Sequence, residues 1–134
     1  MIKKFLSVTC LTLLPVVASA ESHAMAGDPE AGEKVFRKCK ACHQVGPDAK
    51  NRVGPVLNDI VGRAPASVEG FDYSGALKSL AEEGKTWTPE ELAAFLEKPR
   101  SYAKGTKMAF AGLRKEDDRN DVIAYLATFT EASE

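Results

Sequence analysis

Apolar residues recur at helical spacing in four stretches of the chain, and no stretch shows the strict alternation that is typical of a β-strand. Residues typical of helix ends bracket these stretches: Asp28 and Pro29 precede the first, and Gly84 follows the second. The predicted helices cover residues 28–39, 73–83, 88–98 and 116–129. The pattern therefore predicts an all-α fold with about four short helices.

The third predicted helix has the clearest boundaries. Thr88 and Glu91 have the spacing of a capping box, in which each side chain accepts a hydrogen bond from the other residue's backbone N–H. Pro89 occupies the first helical position between them. Pro99 is expected to end this helix, and residues 101–113 are expected to form a loop.

Residues 44–72 are rich in glycine and proline and lack clear periodicity, which predicts a long ordered loop. A loop of this length in a compact domain usually has a function. Four short helices and such loops leave much backbone near the centre of the molecule. We therefore expect a large apolar cofactor to fill the space between them.

The first twenty residues form a distinct segment, with a basic start at Lys3 and Lys4, an apolar run and the small residues "ASA" at 18–20. This order predicts a secretory signal peptide that is cleaved after Ala20, because the apolar run is too short to span a bilayer comfortably. An uncleaved membrane anchor is the alternative. The predicted division is a signal peptide at 1–20, a flexible leader at 21–27, one folded domain at 28–130 and a tail at 131–134.

Cleavage would remove Lys3 and Lys4 but no acidic residue, so the formal net charge would move from −1 to −3. A mildly acidic chain lacks the basic footprint of a nucleic-acid-binding protein, and no nucleic-acid partner is expected. Export would also take the protein to an oxidising compartment, where a pair of free cysteines needs a chemical explanation.

The stretch "CKACH" contains both cysteines that follow the signal, Cys39 and Cys42, with His43 directly after them. This spacing is typical of c-type haem attachment, in which both thiols form thioethers with the haem and the histidine reaches the iron. Three alternatives remain: a redox-active dithiol, a plain disulfide and a zinc site. The dithiol would be expected in a βαβ setting, and the zinc site would need His23 from the leader as its fourth ligand.

A haem that only transfers electrons needs a second axial ligand. Beyond the leader, the chain contains no other histidine than His43 and no other methionine than Met108. A lone methionine is often core filler, but Met108 lies in the polar, glycine-containing stretch "YAKGTKMAF" rather than on a predicted helix face. We therefore predict one haem c per chain, with His43 and Met108 as its axial ligands.

The chain as a whole resembles a class I c-type cytochrome, close to the bacterial cytochrome c2 group and to mitochondrial cytochrome c. The resemblance covers nearly all of residues 27–129. It rests on an ordered set of stretches: "FRKCKACH", "VGPVL", "VGR", "GFDYS", "KTWTPEELAAFLEKPRSYAKGTKMAF" and "DVIAYL". It implies the small class I cytochrome c fold, with short helices and long loops wrapped around one covalently bound haem.

The resemblance also implies roles for single residues. The carbonyl of Pro55 would accept a hydrogen bond from His43 and orient its imidazole. Phe36 and Tyr125 would meet where the first and last helices cross. Phe95 departs from the family pattern, which often has a tyrosine there, so no hydroxyl is expected near the methionine sulfur. Arg63, Tyr73 and Trp87 would donate hydrogen bonds to the haem propionates. Thr106 would be the threonine near the methionine, and Phe110 the aromatic residue at the haem edge.

Lysines flank both segments that carry predicted ligands, although the chain is acidic overall. Lys38 and Lys40 surround the first cysteine, and Lys104 and Lys107 precede Met108. A basic ring of this kind would steer docking to acidic partners, at rates that fall as the salt concentration rises. The simpler alternative is a set of ordinary solvated lysines.

The function implied by the resemblance is that of a soluble, monomeric, periplasmic one-electron carrier rather than an enzyme. Its implied partners are membrane redox complexes, with a bc-type complex as donor and an oxidase, a reaction centre or a periplasmic reductase as acceptor. Two alternatives are a haem enzyme or ligand-binding cytochrome with an open sixth position, and a fixed haem subunit of a larger complex.

Overall fold

The computed structural model describes residues 27–130. This range contains five helices: α1 (Pro29–Phe36), α2 (Gly75–Glu82), α3 (Pro89–Glu97), α4 (Pro99–Tyr102) and α5 (Glu116–Ala127). No β-strand occurs in residues 27–130, which confirms the all-α prediction. The predicted signal peptide, nearly all of the leader, and the tail lie outside the described residues. Within the described range, no helix combines the length and the apolar character needed to cross a membrane.

The first two helices begin at capping side chains. The carboxylate of Asp28 accepts a hydrogen bond from the backbone N–H of Glu30 at 2.8 Å, and Ser74 caps α2 through the N–H of Leu77 at 3.3 Å. Helix α1 ends at Phe36, before the expected limit, and the chain continues through hydrogen-bonded turns to Cys42. These turns bring the cysteine motif to the end of α1.

The capping box predicted for α3 forms only in half. The hydroxyl of Thr88 accepts a hydrogen bond from the N–H of Glu91 at 3.2 Å. The carboxylate of Glu91 does not return to Thr88 but accepts hydrogen bonds from Lys85 and Tyr102. Two stronger donors, one of them charged, thus replace the backbone N–H that the prediction assigned to this carboxylate.

The predicted loop at 101–113 is wrong at its start. Pro99 occupies the first position of α4, where the missing N–H of proline costs nothing, so Ser101 and Tyr102 are helical. The short α4 is the fifth helix that the prediction of about four helices did not include. It fixes the direction in which the chain enters the segment containing Met108.

Helices α1 and α5 cross at close range. Gly32 lies against the backbone of Asp121, and a Cβ atom at position 32 would overlap that backbone. The rings of Phe36 and Tyr125 meet at this crossing, with their centroids 5.4 Å apart, as expected. Phe36 and Val122 are each only 1% exposed, so this crossing is sealed from solvent.

The other side of the core is aromatic and comes from α3 and its surroundings. The Trp87 and Phe95 ring centroids are 5.1 Å apart, and those of Phe95 and Tyr102 are 5.7 Å apart in an edge-on arrangement. Leu92 and Leu96 are buried on the same face of α3. This face forms one wall of the site described next.

Candidate haem-binding site

A cavity of about 540 Å³, lined mostly by apolar groups, lies between α3, the loop around residues 54–57 and the segment 106–110. The volume lies in the range of cofactor and ligand pockets. Many of the predicted site residues line it: Cys39, Cys42, His43, Pro55, Thr106 and Met108, together with Arg63, Tyr73, Trp87 and Phe110. The fold thus brings residues from distant parts of the chain around one apolar space.

The two cysteines lie at one edge of this cavity and are not joined in a disulfide. Burial raises the pKa of Cys39 to about 11, whereas redox-active dithiols are characterised by a lowered thiol pKa. Within residues 27–130, no three His, Cys, Asp or Glu side chains converge to form a metal-binding group, and His23 lies outside the described residues. These observations favour thiols placed for attachment to a bound group.

The imidazole of His43 is held in one orientation. Its Nδ1 lies 2.7 Å from the carbonyl oxygen of Pro55, and because a carbonyl only accepts, Nδ1 must carry the hydrogen. Burial lowers the pKa of His43, with the bond to Pro55 acting in the opposite direction. A neutral ring protonated on Nδ1 leaves the lone pair of Nε2 available, which is the form that ligates a metal.

Gly54 makes room for this ring. A Cβ atom at position 54 would overlap three ring atoms of His43, Cε1 and the two nitrogens on either side of it. The N–H of Gly54 also donates to the carbonyl of Cys42 at 2.9 Å, which fastens the loop beside the cysteine motif. The glycine therefore acts as one side of a close-fitting cradle for the imidazole.

Met108 lies on the cavity wall within a segment that is fastened by short-range bonds. Its backbone N–H donates to the hydroxyl of Thr106 at 3.3 Å, and the N–H of Thr106 donates to the carbonyl of Ala103 at 3.0 Å. The side chain is partly buried against the core. A thioether in this position is a soft ligand beside an apolar cavity.

Arg63, Tyr73 and Trp87 form a group of donors elsewhere on the cavity wall. Arg63 donates through Nη1 to the carbonyl of Asn58 at 2.6 Å and through Nη2 to that of Val56 at 3.3 Å. Its Nε is buried without a partner in the described part of the chain. The hydroxyl of Tyr73 accepts from the N–H of Val68 at 3.2 Å and keeps its own hydrogen to donate. These donors suit an anionic group at the end of an apolar cofactor, such as a haem propionate.

The four predicted docking lysines differ in their surroundings. Lys38 and Lys107 line the cavity, whereas Lys40 and Lys104 do not. Lys38 pairs with Asp118 at 3.3 Å, and Lys107 pairs with Asp72 at 2.6 Å. The two lysines at the cavity therefore already have carboxylate partners, which the sequence pattern did not indicate.

The Cytochrome c family model matches residues 29–130. The chain belongs to the cytochrome c family. It is 52% identical over 113 residues to cytochrome c2 of Rhodomicrobium vannielii, covering 84% of this chain and 87% of that protein. It is 50% identical over 126 residues to cytochrome c-554 of Methylosinus trichosporium, covering 92% of this chain and 93% of that protein.

Solved structures lead to the same conclusion about the fold. The structure of cytochrome c2 from Rhodospirillum centenum matches with a TM-score of 0.74 and 44% identity, covering 78% of this chain and 99% of that chain. These similarities confirm the predicted resemblance to bacterial cytochrome c2 and the small cytochrome c fold. The protein is thus a cytochrome c2-like electron carrier rather than an enzyme, with Cys39 and Cys42 in the CxxC arrangement that binds haem. Its similarity to cytochrome c2 also implies redox partners.

Two residues that shape this cytochrome's site, Gly54 and Asn58, were not predicted from the sequence. Gly54 lies within the stretch "VGPVL", and a glycine directly before Pro55 is a sequence signal for a close approach at this position. Asn58 exchanges two hydrogen bonds of 2.8 Å with the backbone of Gly46 and so closes the loop beyond His43. Nothing in the sequence pattern pointed to that pairing.

Proposed function

We propose that this cytochrome is a periplasmic one-electron carrier whose haem iron is ligated by His43 and Met108. The observation that carries the proposal is that both side chains line the same cavity as Cys39 and Cys42. The hydrogen on Nδ1 of His43 supports it further, because the ring then directs its free lone pair away from Pro55.

Haem, when bound, supplies a reversible one-electron couple, and histidine–methionine ligation raises its potential. The chain supplies the surroundings. Pro55 fixes the imidazole, and Thr106 supports the backbone at Met108. The apolar wall formed by Leu92, Phe95 and Leu96 keeps the dielectric low and limits reorganisation during electron transfer. With His43 and Met108 both bound to the iron, no substrate would need to bind it.

We further propose that the haem propionates are held by Arg63, Tyr73 and Trp87. The buried, unpartnered Nε of Arg63 and the donor hydrogen of Tyr73 support this assignment. Burial lowers the pKa of Arg63, and a neighbouring carboxylate would offset that cost. The propionates would thus be the missing partners for donors that the folded chain has already desolvated.

The periplasmic location and the partners are proposed from the signal-like segment 1–20 and from the similarity to cytochrome c2. A bc-type complex would be the donor, and an oxidase, a reaction centre or a periplasmic reductase the acceptor. The division into a signal peptide at 1–20, a leader at 21–27, a domain at 28–130 and a tail at 131–134 belongs to the same proposal. The intact mass of protein recovered from the periplasm tests the predicted cleavage site, because cleavage after Ala20 predicts a chain that begins at Glu21.

Docking is proposed to use Lys38, Lys40, Lys104 and Lys107. The ion pairs of Lys38 and Lys107 are exposed, and exposed pairs contribute little free energy, so acidic groups of a partner can displace Asp118 and Asp72. Replacing Lys38 and Lys107 by glutamate should slow electron transfer to an acidic partner mainly at low ionic strength. An equal slowing at all salt concentrations would refute electrostatic steering.

The ligation is tested by visible spectroscopy of the purified cytochrome. Acid–acetone extraction should leave the haem with the protein, and the ferric form should show the weak long-wavelength band of methionine-ligated iron. Met108→Ala should abolish that band. Met25→Ala, a change of the other methionine that follows the signal, is the matched control and should leave the band intact.

The two alternatives give different results in the same preparation. If Met108 does not ligate, the native ferrous protein should bind carbon monoxide at neutral pH, as expected of an enzyme or a ligand-binding cytochrome. If the protein is a fixed subunit, it should co-purify with a stable partner in constant proportion. The proposed carrier should do neither.

A further inference from the structure

The segment that contains Met108 is fastened to α3 at both of its ends. At the far end, the backbone N–H of Leu113 donates to the carbonyl of Leu96 at 2.8 Å, and Leu113 is only 3% exposed. At the near end, the hydroxyl of Tyr102 donates to the carboxylate of Glu91. We refer to residues 103–112 between these two attachments as the Met108 loop.

Glu91 is well placed to hold the near end. It lies in the first turn of α3, where a carboxylate is favoured by the helix dipole, and its backbone is already capped by Thr88. Its second donor is the ammonium group of Lys85 at 2.9 Å, so the carboxylate remains charged. A charged acceptor makes a stronger hydrogen bond to a tyrosine hydroxyl than a neutral one does.

Tyr102 is held from its other side by aromatic packing. Its ring centroid lies 6.2 Å from that of Trp87 and 5.7 Å from that of Phe95. The hydroxyl bond to Glu91 therefore selects one position for a ring that packs on the cavity wall. Because Phe95 has no hydroxyl of its own, Tyr102 supplies the hydroxyl of this three-ring cluster.

Short-range contacts carry this position forward to Met108. Ala103 is 4% exposed and donates to the carbonyl of Pro99 at 2.9 Å. Thr106 then donates to Ala103, and Met108 donates to the hydroxyl of Thr106. Each of these hydrogen bonds spans at most four residues. A displacement of Tyr102 is therefore transmitted to Met108 through few intervening bonds.

We propose that Glu91 and Tyr102 are positioning residues that keep the Met108 loop closed over the cavity. Their hydrogen bond connects two side chains, whereas the far attachment connects two backbone groups, so of the two ends the near one can be changed by substitution, as can the Lys107–Asp72 pair within the loop. Loss of the Glu91–Tyr102 bond raises the population of an open state in which Met108 has left the iron. The inference rests on the proposed ligation by Met108.

The experiment measures imidazole binding to the ferric holoprotein, because imidazole reaches the iron only when the Met108 loop opens. The apparent affinity is then proportional to the open population. Tyr102→Phe keeps the ring and removes the hydroxyl, and we expect it to raise the apparent imidazole affinity about tenfold, as for loss of one hydrogen bond to a charged group. Glu91→Gln should act in the same direction but less strongly, because glutamine still offers a neutral acceptor.

Tyr125→Phe is the matched control. It makes the same chemical change at the crossing of α1 and α5, where the ring of Tyr125 packs on Phe36 and Phe129. This variant should leave the imidazole affinity unchanged. The double variant Glu91→Gln with Tyr102→Phe should bind imidazole no more tightly than Tyr102→Phe alone, because both changes break the same bond.

Hydrogen exchange of the backbone amides gives a second readout that does not involve the iron. In Tyr102→Phe, amides of the Met108 loop should exchange about tenfold faster while those of α1 and α5 keep their rates. Unchanged exchange and imidazole affinity in Tyr102→Phe, or an equal change in Tyr125→Phe, would overturn the proposal. Absence of the methionine band in the unmodified protein would instead refute the ligation, and the exchange rates would still decide whether Glu91 and Tyr102 hold the loop.

Discussion

Nδ1 of His43 lies 2.7 Å from the carbonyl oxygen of Pro55, twelve positions further along the chain. Gly54 directly precedes Pro55 and donates its N–H to the carbonyl of Cys42. Its missing side chain leaves the space that the imidazole occupies. The orientation of the histidine thus depends on one hydrogen bond and on one absent methyl group.

We predict that Gly54→Ala destabilises the cytochrome by about 1–3 kcal/mol, because an added methyl group must displace either the ring or the loop. The free energy of unfolding in denaturant measures this. Gly75→Ala is the matched control, since nothing lies within 4 Å of a Cβ there and the residue is helical. That control should be neutral or stabilising by up to about 1 kcal/mol. Equal stability of the two variants would contradict the account of Gly54.

A second prediction concerns the crossing of α1 and α5. Gly32→Ala should also lower the free energy of unfolding by about 1–3 kcal/mol or more, because the backbone of Asp121 cannot move aside without separating the helices. Its signature should differ from that of Gly54→Ala. Amide exchange should quicken in α1 and α5, while the spectrum of the haem keeps its ligand bands. A changed ligand spectrum with undisturbed helices would be inconsistent with this role.

The hydrogen bond between Tyr102 and Glu91 predicts a dependence of stability on pH. Burial, and then the bond to the carboxylate, raise the pKa of Tyr102 to about 12. A raised folded-state pKa means that the unfolded tyrosine, which ionises near pH 10, loses its proton first. The stabilisation is therefore complete below about pH 10 and is lost as the pH rises towards about 12.

The measurement is the free energy of unfolding as a function of pH for the native protein and for Tyr102→Phe. The native protein should lose more stability between about pH 10 and 12 than the variant does.

At the acid end, the bond to Tyr102, and then that to Lys85, lower the pKa of Glu91, so stability is lost as the pH falls below the usual carboxyl range. Glu91→Gln should flatten that acid limb. Stability–pH curves that run parallel for the native and variant proteins would rule out this coupling. The nearby charges of Glu83 and Lys85 are the same in both variants, so they do not account for a difference between the curves.

The pairing of Lys107 with Asp72 predicts an effect on reactions with charged oxidants. Asp72→Asn removes the negative charge beside Lys107 at the cavity, so oxidation by the anion ferricyanide should quicken by about two- to threefold at low ionic strength. Oxidation by a cationic cobalt phenanthroline complex should slow. High salt should remove both effects, because the Debye length falls to about 3 Å at 1 M.

Glu69→Gln is the control for this electrostatic effect. It makes the same change in net charge at an exposed residue whose side chain is not paired with a lysine among the described residues. A response as large as that of Asp72→Asn would show that net charge, rather than the pairing of Lys107, controls the rate.

Much of the fold could be predicted because its signals are local. Asp28 and Ser74 begin helices because their side chains accept hydrogen bonds from N–H groups two or three residues further on, and acidic residues mark the first turn of α5. Pro99 shows where local signals become ambiguous. The same residue can end one helix or begin the next; here α3 ends just before Pro99 and α4 begins at it, and the packing of Tyr102 on Trp87 and Phe95 stabilises the second helix.

By itself, the sequence determined the chemistry of this protein: "CKACH" provides two thiols and an imidazole at the spacing of haem attachment, and Met108 is the methionine available beyond the leader. Such information is carried by residue type and short spacing, which do not depend on the rest of the fold. Only the tertiary structure decided the partners of Glu91, Lys38 and Lys107 and the need for glycine at position 54. Those relationships join residues far apart in the chain, and they exist only once burial of the apolar faces has brought the loops together.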